Sequence, residues 1–416
     1  MTQRIRDLKR QGKNVLAFSS GEPDFPTPDH IAKAGHEAID KGFTKYAPVA
    51  GIPELREAIC DHLRDFYSLS YKPEQILVSN GAKQALIEAM SALLDPGDEV
   101  IIPVPCWVSY PEQVKLADGA PVLIERKQED DFRLRPEQVR EKITPRTKMM
   151  ILCNPDNPTG GVMKEEDLRG IAELAVRHRF YVLSDEIYSR LIYDGHKHVS
   201  FGSFSPEVYQ QTITINGFSK AYSMTGWRLG YAAGPRETIK AMSEIQGHFT
   251  SGANTISQYA GIAAIRGPQD TVEKMRQEFD RRRKTMVQRL KGMMGLRVNV
   301  PQGAFYVYPE ISSWFGKKIG GIEIRGSVDF CSAMVEEAGE RATERRVLVC
   351  RGRRDSSGRQ IQSRSAARLW RPPSCNRVAR MTGTLAWCAS PVMFAATGPY
   401  SGESVGDASA LVTGLQ

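Results

Sequence analysis

The chain of 416 residues has no uninterrupted apolar run approaching the ~20 residues that a bilayer span needs, which argues against a membrane helix. Its first ten residues, MTQRIRDLKR, carry charges where the apolar core of a secretory leader would stand. Cytoplasmic residence is the expectation. Cysteine is sparse: seven residues, at 60, 106, 153, 331, 350, 375 and 388, form no CxxC pair and no regular spacing. That pattern supports neither a disulfide frame nor a metal site. Lysine is missing from residues 341–416, which hold 12 arginines and 4 acidic residues, and residues 381–416 contain neither lysine nor arginine. The net charge of +8 therefore lies wholly in this tail, because residues 1–340 balance 44 basic against 44 acidic side chains. The tail shows no interleaved aromatics and no helix–turn–helix spacing, so its charge does not point to nucleic acid.

What the chain does have is length, an apolar content of 41%, and alternation. These allow a large core and two domains. From about residue 28 to 267, short apolar runs at 75–79, 99–103, 120–124, 148–153, 180–184, 212–216 and 229–233 read as strands. Amphipathic stretches at 53–66, 82–94, 164–177, 237–248 and 255–266 read as helices between them. Such alternation predicts a mostly parallel sheet with helices on both faces. In such sheets ligands bind beyond the carboxyl ends of the strands. A long charged helix over 269–293 leads out of this domain, and 296–308 with 328–339 reads as strands and a helix of a smaller α+β domain.

The most informative segment is 216–231, NGFSKAYSMTGWRLGY. It sets Lys220 and Arg228 eight residues apart among small residues, directly after an apolar run. A lysine in a tight turn at a strand end suits a Schiff base with a carbonyl cofactor. An arginine one loop later suits the fork geometry of a phosphate. Pyridoxal phosphate has an aldehyde at one end and a phosphate at the other, and it matches the pair. Asp185, in SDEIY at 184–188, ends another apolar run, where an unpaired carboxylate is costly; a pyridinium nitrogen or a helix N-terminus would each satisfy it. NPDNPTG at 154–160 is a turn set by two X-Pro steps, with side-chain amides that can donate to a phenolic oxygen. SNGAKQ at 79–84 turns a strand into a helix whose free N–H groups can hold a phosphate. Trp107, in PCWVSYP at 105–111, fits either a core position or a ring stack. SGEPDF at 20–25 offers backbone to a substrate carboxylate, and TKYAPVAG at 44–51 places Tyr46 in a turn.

In this order and spacing, together with GAFYVYP at 303–309, the motifs resemble class I aminotransferases, nearest to the bacterial aspartate branch. The resemblance runs from about residue 12 to 339. It implies the type I fold of pyridoxal-phosphate enzymes: residues 28–290 as the large cofactor domain, with 1–27 and 291–339 in the small domain. Lys220 would bind the cofactor and shuttle the substrate proton. Asp185 would hold the pyridine nitrogen, Tyr188 and Asn157 the phenolic oxygen, and Trp107 the ring face. Gly81, Ala82, Ser219 and Arg228 would surround the phosphate, which Tyr46 of a neighbouring subunit would also reach, making a homodimer. Gly21, Trp107 and Asn157 would meet the amino-acid or 2-oxo-acid substrate, and Lys83 the distal carboxylate of a dicarboxylic one. Aspartate with 2-oxoglutarate is the favoured pair. Aromatic or prephenate transamination and a C–S or β-lyase are the alternatives. A cofactor-binding regulator is disfavoured, because only about twenty residues precede Gly21.

Both ends depart from the resemblance. The N-terminus looks short, and from residue 340 the sequence turns Arg-, Ser-, Gly- and Pro-rich without periodicity. That break suggests a frameshifted reading of a GC-rich gene, or else a disordered extension. It removes the Arg-Leu-Ser-Tyr segment whose arginine holds the substrate α-carboxylate in this family. It also predicts a partly uncovered apolar face around Phe305, Tyr306, Phe330 and Met334.

Overall fold

The computed structural model describes residues 7, 10–12, 15–16, 21–340, 347–348 and 394–395. The tail expected from residue 340 therefore lies almost entirely outside the described residues, as does most of the segment before Gly21. The chain divides into two units, Gly21–Val287 with Asn299–Val307, and Met1–Ser20 with Gln288–Val298 and Tyr308–Gln416.

The larger unit is built on seven strands. They are β1 (Ile76–Ser79), β2 (Glu99–Val104), β3 (Ala120–Glu125), β4 (Thr147–Cys153), β5 (Tyr181–Asp185), β6 (Thr212–Gly217) and β7 (Gly230–Ala233). Their order across the sheet is β1-β7-β6-β5-β4-β2-β3. β7 pairs antiparallel with both β1 and β6, and the other pairs are parallel, so one strand runs against six. Every residue of β1, β6 and β7 is buried. Burial of whole strands belongs to a sheet covered on both faces; β6, which alternates Thr with Ile, buries Thr212, Thr214 and Asn216 along with its isoleucines.

The helices around the sheet are α1 (Asp29–Asp40), α2 (Pro53–Tyr67), α3 (Ala82–Leu93), α4 (Ser109–Leu116), α5 (Glu165–His178), α6 (Arg236–Phe249) and α7 (Thr255–Arg266); α8 (Asp270–Lys291) follows, and its last residues, from Gln288, belong to the smaller unit. Two apolar clusters among the described residues pack against the sheet. One joins Ile31, Leu55, Ile59 and Leu63 to Val78, Phe218 and Leu229. The other joins Ile101, Met150, Leu152 and Val182 to Leu168, Ile171 and Phe180. Helix α1 has no counterpart among the sequence-predicted helices. Gly35 weakens its propensity, yet a Cβ there would come within 2.7 Å of the Trp227 ring, so packing requires the glycine.

The strands expected over 296–308 reduce to Tyr306–Val307, with isolated bridges at Arg297 and Gly303. Pro301 and Gly303 break them, and a Cβ at Gly303 would sit 2.6 Å from the Pro155 ring. In the smaller unit, Arg297 bridges Glu310, Lys318–Ile319 pairs antiparallel with Ile322–Glu323, and Val15–Leu16 pairs parallel with Val347–Leu348. A helix, α9 (Ser327–Glu340), follows. The expected uncovered face is a correction for three of its four residues: Phe305, Tyr306 and Phe330 are 2%, 3% and 4% exposed, while Met334 is half-buried. Phe305 and Tyr306 belong to the larger unit and pack on Tyr188, while Phe330 meets Trp314 edge-on.

Candidate active site

Five of the six strands that share a direction end in residues singled out from the sequence. Beyond β1 comes Asn80-Gly81, beyond β2 Trp107, beyond β4 the turn 154–160, at the end of β5 Asp185, and beyond β6 Lys220. The carboxyl edge of the sheet thus collects them, as this class of fold dictates.

Lys220 is half-buried, and its Nζ donates to the Gly21 carbonyl. Its ammonium lies 6.0 Å from the Tyr188 ring centre and 5.7 Å from that of Phe305. Burial between these rings lowers its pKa to about 8, with Glu22 and Asp185 opposing and Arg228 assisting the shift. Asp185 is buried, and its Oδ2 accepts from the Tyr110 hydroxyl at 2.6 Å while Oδ1 accepts from the Ile187 N–H at 3.2 Å. Desolvation raises its pKa to about 6, and the Tyr110 and Ile187 hydrogen bonds oppose the rise.

The turn carrying Asn157 is braced from beneath. Asp156 accepts from the Thr159 hydroxyl at 2.5 Å and from Arg126 Nη2 at 3.1 Å, and both members of that ion pair are buried. The peptide bonds preceding Pro155 and Pro158 are cis. This frame sets Asn157 Nδ2 at 3.4 Å from the Tyr188 hydroxyl, which lies 2.6 Å from that of Tyr306. Burial pushes the Tyr188 phenol well above its usual range.

The phosphate end is a close approach of three segments. Gly81 has φ +81°, and a Cβ on it would fall 2.6 Å from Arg228 Nη2. Gly230 is equally constrained, since a Cβ there would meet the Ala82 nitrogen at 2.4 Å. Arg228, itself at φ 53°, donates to the Thr225 carbonyl at 3.1 Å and to the Asn80 carbonyl at 3.3 Å. Its guanidinium is thereby fixed beside the first turn of α3; there the Gln84 N–H donates to the Gly81 carbonyl at 3.0 Å, while the N–H groups of the first helical residues, Ala82 and Lys83, lie ahead of the i→i−4 ladder. Ser219, adjacent to Lys220, is buried. Trp107 stands edge-on to Tyr110 with ring centres 5.5 Å apart, and Lys83 Nζ lies 4.7 Å over the indole. Tyr46 does not join this group: it is 91% exposed.

Neither Tyr110 nor Tyr306 stands out as a site residue in the sequence, where Tyr306 reads as part of an apolar face. Both lie inside quoted motifs, but their contacts are made only by the fold. A buried carboxylate at a strand end calls for a donor, and Tyr110, one turn beyond Trp107, is that donor.

The arrangement fits pyridoxal phosphate. Asn157 Oδ1 is buried with no hydrogen-bond partner among the described residues, as a polar atom facing a ligand would be. The glycine at 81 keeps open a cradle of helix N–H groups and guanidinium that a side chain would fill. Among the described residues no group of His, Cys, Asp and Glu could hold a metal ion, and no helix is long and apolar enough to cross a membrane.

Comparison with known proteins agrees with this chemistry. Residues 13–359 match the Aminotransferase class I and II family. The chain is 46% identical over 339 residues to an aspartate aminotransferase of Geobacillus stearothermophilus, covering 81% of this chain and 85% of that one. It is also 46% identical to an aspartate/prephenate aminotransferase of Cereibacter sphaeroides, with 82% and 85% covered. Among solved structures it superposes on the Thermus thermophilus aspartate aminotransferase with maleate at a TM-score of 0.76 and 42% identity, covering 84% and 86% of the two chains. A desolvated lysine, a buried carboxylate and an arginine-lined helix start, in a chain matched along most of its length, identify the protein as a pyridoxal-phosphate-dependent member of the class I and II aminotransferases.

Proposed function

We propose that the protein transfers the amino group of aspartate to 2-oxoglutarate, with Lys220 as the catalytic base. The observation that carries this reading is the desolvated Lys220 amine, within reach of the fields of Asp185 and Arg228. With a pKa of about 8, roughly a tenth of the amine is neutral at pH 7, a few hundredfold more than at its ordinary value. A neutral amine can attack a carbonyl and accept a proton from a substrate α-carbon.

When bound, the cofactor supplies an electron sink for the pair left by that proton. Asp185 holds a proton at the pyridine nitrogen, and its burial strengthens the charge pairing. Tyr188 and Asn157 donate to the phenolic oxygen. Arg228, Ser219 and the α3 start at Gly81 and Ala82 bind the phosphate. Trp107 covers one ring face. Gly21, Trp107 and Asn157 orient the substrate, and Lys83 meets its distal carboxylate. Tyr46, exposed on its own subunit, completes the phosphate site of a partner copy in a homodimer; an active monomer in sedimentation would contradict that assembly.

Relatives named for aspartate support the substrate. A second reading, shared use of aspartate and prephenate, is supported by the relative of that name at equal identity. Incubation with aspartate and 2-oxoglutarate tests the proposal. Glutamate and oxaloacetate are the expected products, whereas pyruvate and ammonia would mean elimination.

A further inference from the structure

We infer that Tyr306 is a positioning residue for Tyr188: its hydroxyl donates to the Tyr188 oxygen and so aims the Tyr188 proton at the phenolic oxygen of the cofactor. The inference rests on the role proposed above for Tyr188. The two hydroxyls lie 2.6 Å apart, and both residues are 3% exposed. Only one proton can lie between them, so one hydroxyl donates and the other accepts.

The direction follows from the third partner. A phenolic oxygen carrying negative charge draws a proton more strongly than a neutral hydroxyl does. Tyr188 therefore donates to it, and Tyr306 must be the donor within the pair. Asn157 Nδ2 also donates to the Tyr188 oxygen, but at 3.4 Å against 2.6 Å for the Tyr306 contact, so Tyr306 is the closer donor. A chain of donors polarises along its length, so the Tyr306 bond strengthens the one that Tyr188 makes.

Packing holds the pair in register. The Tyr188 and Tyr306 rings meet at 77° with centres 5.6 Å apart, and Phe305 meets Tyr188 at 81° and 5.6 Å. Gly21 gives the Tyr306 hydroxyl its room, since a Cβ there would lie 3.0 Å from it.

Donation to the phenolic oxygen lowers the pH at which the visible chromophore of the loaded enzyme titrates. The test is that midpoint in the holoenzyme, measured by absorbance. Tyr306→Phe should raise it by about 0.1–0.7 pH unit, the share of a charge-assisted bond lent by cooperativity. Tyr188→Phe should raise it further, and the double variant should match Tyr188→Phe alone, because Tyr306 acts only through Tyr188. Gly21→Ala, which crowds the hydroxyl and keeps the ring, should move the midpoint in the same sense and serves if Tyr306→Phe fails to load. An unchanged midpoint in Tyr306→Phe, or shifts that add in the double variant, would overturn the inference while leaving the proposed function standing. No shift in Tyr188→Phe would remove the role of Tyr188 itself, and the inference with it.

Discussion

Replacing Asp185 with Asn should stabilise the cofactor-free protein while weakening its hold on the cofactor. Burial raises the Asp185 pKa from 3.8 to about 6. A folded-state value above the unfolded one means that the folded chain binds the proton more tightly, so the charged form costs stability. The cost is full above about pH 6, shrinks as the group protonates, and vanishes below about pH 4. Roughly two pH units correspond to about 3 kcal/mol at neutral pH. Asparagine removes the charge and keeps both contacts: Oδ1 can accept from the Ile187 N–H, and Nδ2 can donate to Tyr110, whose hydroxyl can turn to accept. Allowing about 1 kcal/mol for the weaker neutral bonds, the gain at pH 8 should be about 1–3 kcal/mol. Thermal melting of the two apoproteins from pH 4 to 8 reads it directly. The variant should melt higher at pH 8 and lose that advantage towards pH 4, and it should bind pyridoxal phosphate more weakly. A variant destabilised equally at every pH would refute the burial argument.

Other predictions address the remaining parts of the site. Since the Lys220 pKa is lowered to about 8, modification of the apoprotein at that residue by an amine-reactive reagent should rise through pH 8, as peptide mass analysis would show; a midpoint above pH 10 would contradict this. Gly81→Ala combines a φ of +81° with a methyl 2.6 Å from Arg228 Nη2, and about 1–3 kcal/mol of strain should weaken cofactor binding roughly 5- to 150-fold in a fluorescence titration. Lys83→Met should lower kcat/KM for aspartate by about 10- to 100-fold through a lost charged contact. The same variant should leave phenylalanine turnover little changed, and equal losses would show a structural role. Replacing residues 340–416 with a family-type ending should raise kcat/KM for aspartate; equal values would mean that the present tail does no harm.

Much of this was legible in the sequence because it depends on local chemistry. Apolar runs bounded by turns marked the seven strands to within a residue or two; Lys220 and Arg228 stood out as an amine and a phosphate fork eight residues apart, and Asp185 because a carboxylate at a strand end needs a partner. The reversed direction of β7 was not legible, since a short buried strand reads the same either way. Tyr110 and Tyr306 escaped for a related reason. A buried tyrosine looks like core until the fold brings its hydroxyl to a carboxylate 75 residues away or to a phenol 118 residues away. The strands expected over 296–308 failed because the pull of their apolar residues ignored Pro301 and Gly303, which pack on the turn that holds Asn157.

The most direct test of the account is where the cofactor attaches. Borohydride reduction of the protein loaded with pyridoxal phosphate fixes a lysine-bound carbonyl as a stable amine, and digestion with mass analysis locates it. The account predicts the adduct on the peptide carrying Lys220 and its disappearance in Lys220→Ala. An adduct on Lys83 or any other lysine in its place, or none at all, would contradict it.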